Sequence, residues 1–224
     1  KEDKRMILAK TMYDLEYVHE GGTSDPGTEG LVGGYEVHAY ARSYRNMGNH
    51  YGIAAFITCV QKMQYQHLYP TNFILEGKTM YITFNVPVKP IVLDTTLVDN
   101  LPDGNYGFNV YNVDEQNGKA GTIEKSDTVI ESVSIFSEDV IKIVFNKEPV
   151  SGERLTYAIN GDYWENIDSQ LTVTTGEVND GVTKSGHLHG SRGCLRDSQD
   201  IVNEYEGAAL PYLYNWCEIF EYKF

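Results

Sequence analysis

Residues 79–86 read Thr-Met-Tyr-Ile-Thr-Phe-Asn-Val, with apolar and polar or edge-type side chains alternating without a break. Only an extended strand sends successive side chains to opposite faces, so this run implies a sheet with one dry face and one wet face. The same texture returns at Ile91–Leu93, Tyr106–Val110, Val129–Ile135, Val140–Phe145, Leu155–Ile159 and Leu171–Thr174, and a last strand is expected within Tyr212–Phe220. Turn formers separate these runs: Pro102-Asp103-Gly104-Asn105, Asn117-Gly118, Ser151-Gly152 and Asn160-Gly161. Short strands at this spacing predict an antiparallel β-sandwich over residues 69–224.

Before Pro70 the pattern is different. Met6–Leu8 is a short apolar run and Met12–Val18 mixes Tyr, Leu and Val, which reads as a strand running into a loop. Gly21–Gly34 is rich in chain breakers. From Ser43, residues Tyr44, Met47, Tyr51, Ala54, Ala55 and Thr58 recur at helical steps, so a helix ending near Met63 is expected with these side chains on its apolar face. Gly48 and Gly52 each cost that helix about 1 kcal/mol against Ala, which is tolerated where another backbone must approach. Residues 1–68 therefore read as an α/β segment and the whole chain as α+β. A lone strand and helix would leave an open sheet edge and an uncovered apolar face, so residues 1–68 are not expected to fold alone.

Charge narrows the partners. Lys plus Arg number 18 and Asp plus Glu 32, a formal balance of −14. That excludes a phosphate-backbone binder, which needs a basic footprint, so no nucleic-acid partner is expected. No apolar run approaches about 18 residues, so no membrane insertion is expected. The 17 Tyr against 8 Phe and 2 Trp fit sheet faces first, although an apolar ring with a polar tip also suits sugar. Cys59, Cys194 and Cys217 lack metal-knuckle spacing. Only Cys194 with Cys217 is a conceivable disulfide, and three reduced, mostly buried thiols is the favoured state. No initiator Met or signal peptide is present, so Lys1 is either a processed end or the start of a fragment.

Few residues carry chemistry. His38 lies between the Gly-rich loop and the helix, where it could serve as a general base if a nucleophile faced it. On residue type alone a capping or surface role is the stronger reading. His187 and His189 would share one face of a strand, but two ligands make a poor metal site, and Gly186 and Gly190 suggest a loop. The acidic stretches 162–168 and 177–180 could offer oxygens to calcium, though solvated loops explain them better. No cofactor is expected. Arg192, Arg196 and Asp197 surround Gly193 and Cys194. They form either a glycan site, since Arg forks recognise carboxylates, or an Arg–Asp network pinning a long loop, and the second reading is preferred. Trp216 is expected in the core ahead of a sugar platform.

The stretch His38-Ala-Tyr-Ala-Arg-Ser-Tyr-Arg-Asn-Met-Gly-Asn-His-Tyr-Gly52 resembles the last catalytic block of SGNH (GDSL-like) hydrolases, above all those of phage and prophage tail proteins. Tyr44, Gly48, Tyr51 and Gly52 fall at that family's spacings, with Met47 in place of Leu. Ile7–Tyr13 is similar to the final strand of its α/β domain. Ile82–Pro87, Pro90–Thr95, Asn105–Phe108, Gly190–Ser198 and Leu213–Cys217 resemble the β-sandwich that follows it, so the likeness covers most of the chain. It implies a secreted or virion-associated glycan O-acetyl esterase with His38 as general base. It also implies a polysaccharide or acetylated glycan as substrate, an upstream hydrolase segment or virion proteins as partners, and an extracellular, cell-surface or virion location. The chain departs from the family in three ways. It has no Gly-Asp-Ser nucleophile block, since Gly161-Asp162-Tyr163 lacks the Ser. The oxyanion-hole blocks are missing, and the place of the usual acidic partner is taken by Tyr35, with Glu36 next to it. His38 alone cannot run a triad reaction, so the nucleophile is expected upstream of Lys1. The alternative is a non-catalytic virion or cell-surface module for assembly and host-glycan binding.

Overall fold

The computed structural model describes residues 6–15, 41–96, 98, 104–113, 123–159, 193–203 and 212–224. Among the described residues one α-helix, continued by a π-helical turn, and ten strands follow in chain order. The helix α1 spans Ala41–Ala55. The strands are β1 Tyr69–Glu76, β2 Thr79–Asn85, β3 Val92–Leu93, β4 Phe108–Val113, β5 Ile123–Lys125, β6 Ile130–Ser137, β7 Val140–Phe145, β8 Glu153–Tyr157, β9 Leu195–Arg196 and β10 Phe220–Lys223.

They form two four-stranded antiparallel sheets, β1-β2-β7-β6 and β10-β8-β4-β5, and a small β3-β9 ladder. The alternation in β2 does what its period requires, burying Met80, Ile82 and Phe84 while Thr79, Tyr81 and Thr83 face outward. Its neighbour β7 buries Ile141, Ile143 and Phe145 in register. Phe108 and Val110 of β4 and Leu155 and Tyr157 of β8 join the same core from the second sheet. Phe220 of β10 closes the gap, lying edge-on to Phe73 and Phe84 of the first sheet and stacked on Tyr157 of the second. Each such side chain taken out of water contributes about 1.5–3 kcal/mol, so this seam holds the two sheets face to face. The two-residue link Gly77-Lys78 requires a left-handed residue, and Gly77 supplies it at φ +57°. The outer strands β1 and β6 carry register shifts, at Pro70/Asn72 and at two places in β6, which spoil them as templates for another strand.

Two expectations for the N-terminal part are corrected. The run Ile7–Tyr13 forms no strand: residues 6–11 are unpaired by any ladder and residues 12–15 turn, with the Leu15 N–H donating to the Met12 carbonyl at 3.2 Å. Tyr13, Asp14 and Leu15 are all buried in succession, which no alternating strand allows. The helix forms as expected and runs on through a π-helical turn at Phe56–Val60, but it presents another face. Tyr44 and Tyr51 are 50% and 54% exposed, while Ser43, Asn46, Met47, His50 and Ala54 are buried. A Cβ at Gly48 or Gly52 would meet nothing within 4 Å, so neither glycine serves a close backbone approach. The described residues before Tyr69 enter the sandwich core through Tyr13 and Leu68, and Leu15 with Met47 makes a small apolar pair beside it.

The three cysteines are reduced and mostly buried, as favoured: Cys194 and Cys217 are buried thiols, with Cys194 Sγ facing the Val98 carbonyl and Cys217 Sγ the Glu218 carbonyl. Cys59 is exposed. Among the described residues no helix is long and apolar enough to cross a membrane.

Candidate functional site

His38 and Arg192 lie outside the described residues, as do His187, His189 and the acidic stretches 162–168 and 177–180. The remaining candidates, Arg196, Asp197 and Trp216, come together where β9 bridges to the segment before β10.

Arg196 is fixed on three sides. Its Nε donates to Asp94 Oδ2 at 2.6 Å, an Nη donates to the Asp197 carbonyl at 2.7 Å, and the guanidinium lies 3.8 Å from the Tyr214 ring centroid. Burial pushes the Asp94 carboxyl up, but hydrogen bonds from Thr96 and Arg196 outweigh it and hold the group below its ordinary value. Asp197 is wholly buried. Its Oδ1 accepts the N–H groups of Gln199 and Asn215, and its Oδ2 accepts the Asn215 amide and the Val88 N–H. Both oxygens are occupied by the protein, and burial still pushes this carboxyl above the ordinary range. Ser198 donates to the Pro90 carbonyl. The geometry is that of an internal pin tying three separate segments together, with no oxygen of Asp197 left for a ligand. Trp216 is 4% exposed and packs edge-on against Tyr13, so it offers no flat platform to solvent.

Next to this pin lies a cleft that the sequence did not announce. Residues 8–11, His50 of α1, His67, residues 214–216 and Glu218 line it, and it has room for about one water molecule. At its inner end Lys10 and Asp14 form an ion pair at 2.6 Å, with side chains 2% and 1% exposed. Burial draws Lys10 down and Asp14 up, and each charge only partly offsets this for the other. His50 is held near 3 by burial and by the neighbouring Lys10 charge, so its ring is neutral at physiological pH. Three side chains lining the cleft keep a buried polar atom with no partner: Thr11 Oγ1, His50 Nε2 and Trp216 Nε1. At the mouth His67 faces Glu218 at 3.2 Å.

Native interiors leave few polar atoms unpaired, and three around one small cleft depart from that rule. The set combines an indole N–H donor, a hydroxyl that can do both, and an imidazole nitrogen. His50 Nε2 has no hydroxyl in reach, so the described residues do not assemble a nucleophile–base pair here. The signal for His50 was present three residues after Met47. Apolar periodicity alone does not find it, because this face of the helix buries polar residues.

A second exposed feature lies on the outer face of β2 and β6, where Phe136, 62% exposed, packs edge-on against Tyr81. Among the described residues no cluster of metal-ligating side chains forms. Comparison with protein-family models, with curated proteins and with solved structures gives no match.

Proposed function

We propose that the chain is the C-terminal portion of a secreted or virion-associated glycan O-acetyl esterase of SGNH type, with His38 as general base and the nucleophilic Ser on a segment upstream of Lys1. The observation that supports this reading is convergence. Pro90–Thr95, Gly190–Ser198 and Leu213–Cys217 are far apart in sequence, and each carries part of the family resemblance. Their described residues are one another's partners: Asp94 with Arg196, Pro90 with Ser198, Asp197 with Asn215, and Leu195 with the Cys217 N–H. Motif residues that bind each other specify a shared fold, which is what a family resemblance requires. In addition, α1 begins three residues after His38 and is held by Met47 on Leu15 and by Asn49 on Asn203. A base on the segment leading into such a helix would be carried by a fixed element.

In this reading His38 takes the proton of the upstream Ser as it attacks the acetyl carbonyl and gives it to the departing sugar oxygen, leaving acetyl-Ser; it then takes a proton from a water that attacks this ester and returns it to the Ser oxygen as acetate leaves. The test is acetate release from an acetylated polysaccharide by the full-length protein. His38→Ala should lower turnover by about three orders of magnitude or more with the fold intact. Unchanged turnover removes His38 from the mechanism. The second reading, a non-catalytic virion or surface module, draws on the missing Gly-Asp-Ser block. It expects the chain to be retained on a surface polysaccharide without releasing acetate.

A further inference from the structure

We infer that the outer face of the β1-β2-β7-β6 sheet is a seat for a strand of neutral glycan, with Tyr81 and Phe136 as its aromatic corner. The inference rests on the glycan reading above and gives the polysaccharide a place to lie.

Register fixes the face. Tyr81 of β2 stands opposite Ile74 of β1 on one side and Lys142 of β7 on the other, and Lys142 stands opposite Ser134 of β6. Neighbouring strands lie about 4.8 Å apart, so these four side chains make one row across the sheet. Thr79 and Thr83, two positions either way along β2, share the face of Tyr81. The bulge between Ile135 and Ser137 frees Phe136 from the ladder, and its ring reaches Tyr81 with 5.1 Å between centroids and 71° between planes. Phe136 is 62% exposed and Ile74 47% exposed, and neither belongs to the core. A sugar ring has apolar C–H faces and a rim of hydroxyls. Such a ring can lie on one aromatic plane and against the other while its rim meets Thr83, Ser134 and the Lys142 amine.

Charge and area select the occupant. In the paired rows of this face the charged side chains are Glu76 and Lys142, with the Lys78–Glu131 pair beside them at 3.8 Å. The face is therefore neutral on a chain whose formal charge is −14. That field repels a polyanion, and a polycation would find no excess of carboxylates here. Area disfavours a second copy. Four strands about 4.8 Å apart, each about seven residues long, cover roughly 450 Å2. Each partner in a stable protein pair buries roughly 800 Å2. A narrow, uncharged strand with alternating apolar and hydroxyl surface fits both limits.

The test follows the backbone amide signals of the 15N-labelled full chain. Neutral hexasaccharides of glucose, mannose, galactose and N-acetylglucosamine are added in turn, with hexagalacturonate as the anionic arm. The expected result is a saturable shift confined to β2, β6 and β7 with at least one neutral hexasaccharide and not with hexagalacturonate. Phe136→Ala removes an exposed ring and spares the core, and it should weaken that binding about tenfold or more. Lys142→Met should weaken it severalfold. Val150→Ala, exposed on the link between β7 and β8, should leave it unchanged. The inference is overturned by no saturable shift in these strands with any neutral hexasaccharide, by a response to hexagalacturonate alone, or by full affinity in Phe136→Ala. It is also overturned by a sedimentation mass of two chains that falls to one in Phe136→Ala, since the face then belongs to a second copy. A silent face in a full-length protein that still releases acetate removes the seat and leaves the esterase reading. A responsive face in a full-length protein that releases no acetate removes the esterase reading and leaves the seat.

Discussion

At the scale of single residues, His50 couples the fold to acid. The free side chain titrates near 6.5 and the buried one near 3. Between those values the unfolded chain binds a proton that the native chain refuses, so stability is complete above about 6.5 and is lost as pH falls toward 3. The loss should be of the order of 2–3 kcal/mol between pH 6.5 and pH 4. His50→Gln should flatten that part of the curve, read as melting temperature against pH. Gly193 is fixed for a different reason. A Cβ there would sit 2.3 Å from Tyr157 Oη and 2.4 Å from Cζ, and this ring is buried on every side. Gly193→Ala must displace Tyr157, whose hydroxyl accepts the Leu195 N–H at 2.9 Å, so it should cost more than about 2 kcal/mol in denaturant unfolding. Arg196→Lys keeps the charge but loses the fork to Asp94 and the Asp197 carbonyl and the stack on Tyr214. A loss of about 1–2 kcal/mol is expected, so charge alone does not replace the planar group. These roles were half legible. Arg196 and Asp197 stood out as a pair near a Gly turn, whereas Asp94 as their partner is separated from them by about a hundred residues and leaves no local trace.

At the scale of elements, legibility followed burial on one face. β2 and β7 sit between other strands with one face in the core, so their sequences alternate and their limits were readable. β1 is an outer strand with no fully buried residue, and β9 has two residues, so neither shows a usable period. Apolar periodicity points to the wrong face of α1, because Tyr44 and Tyr51 direct their bulk to solvent and the helix turns Asn46 and His50 inward. The N-terminal segment has three apolar residues in a row that resemble a strand start, yet residues 6–15 form no strand. It behaves as a clasp: Tyr13 reaches the core, its hydroxyl donates to the Cys217 carbonyl at 2.5 Å, and it lies 3.1 Å from Tyr157 Oη. Tyr13→Ala should cost about 3–5 kcal/mol by urea unfolding, the range for a large buried aromatic, and should expose surface that binds a hydrophobic dye.

At the scale of the whole molecule, the three thiols report how tightly it closes. Cys59 is exposed, and burial pushes the Cys217 thiol well above its ordinary range. A thiol reagent should therefore modify one cysteine at once in the native protein and the other two only in denaturant. Fast reaction of all three would mean that the seam around Cys194 and Cys217 opens freely. The cleft was invisible in the sequence for the same global reason, since its walls are drawn from positions 8–11, 50, 67, 214–216 and 218 and meet only after the chain has folded. That geometry also sets a timetable. The bond from Tyr13 to Cys217 spans 204 positions. Closing so long a loop is costly until the two sheets already hold Cys217 in place, so the clasp belongs after the rate-limiting barrier. In stopped-flow chevrons Tyr13→Phe should leave the refolding limb where it is and raise the unfolding limb. The first residues of the chain would then be the last to dock, and would govern how long the molecule stays folded more than how quickly it gets there.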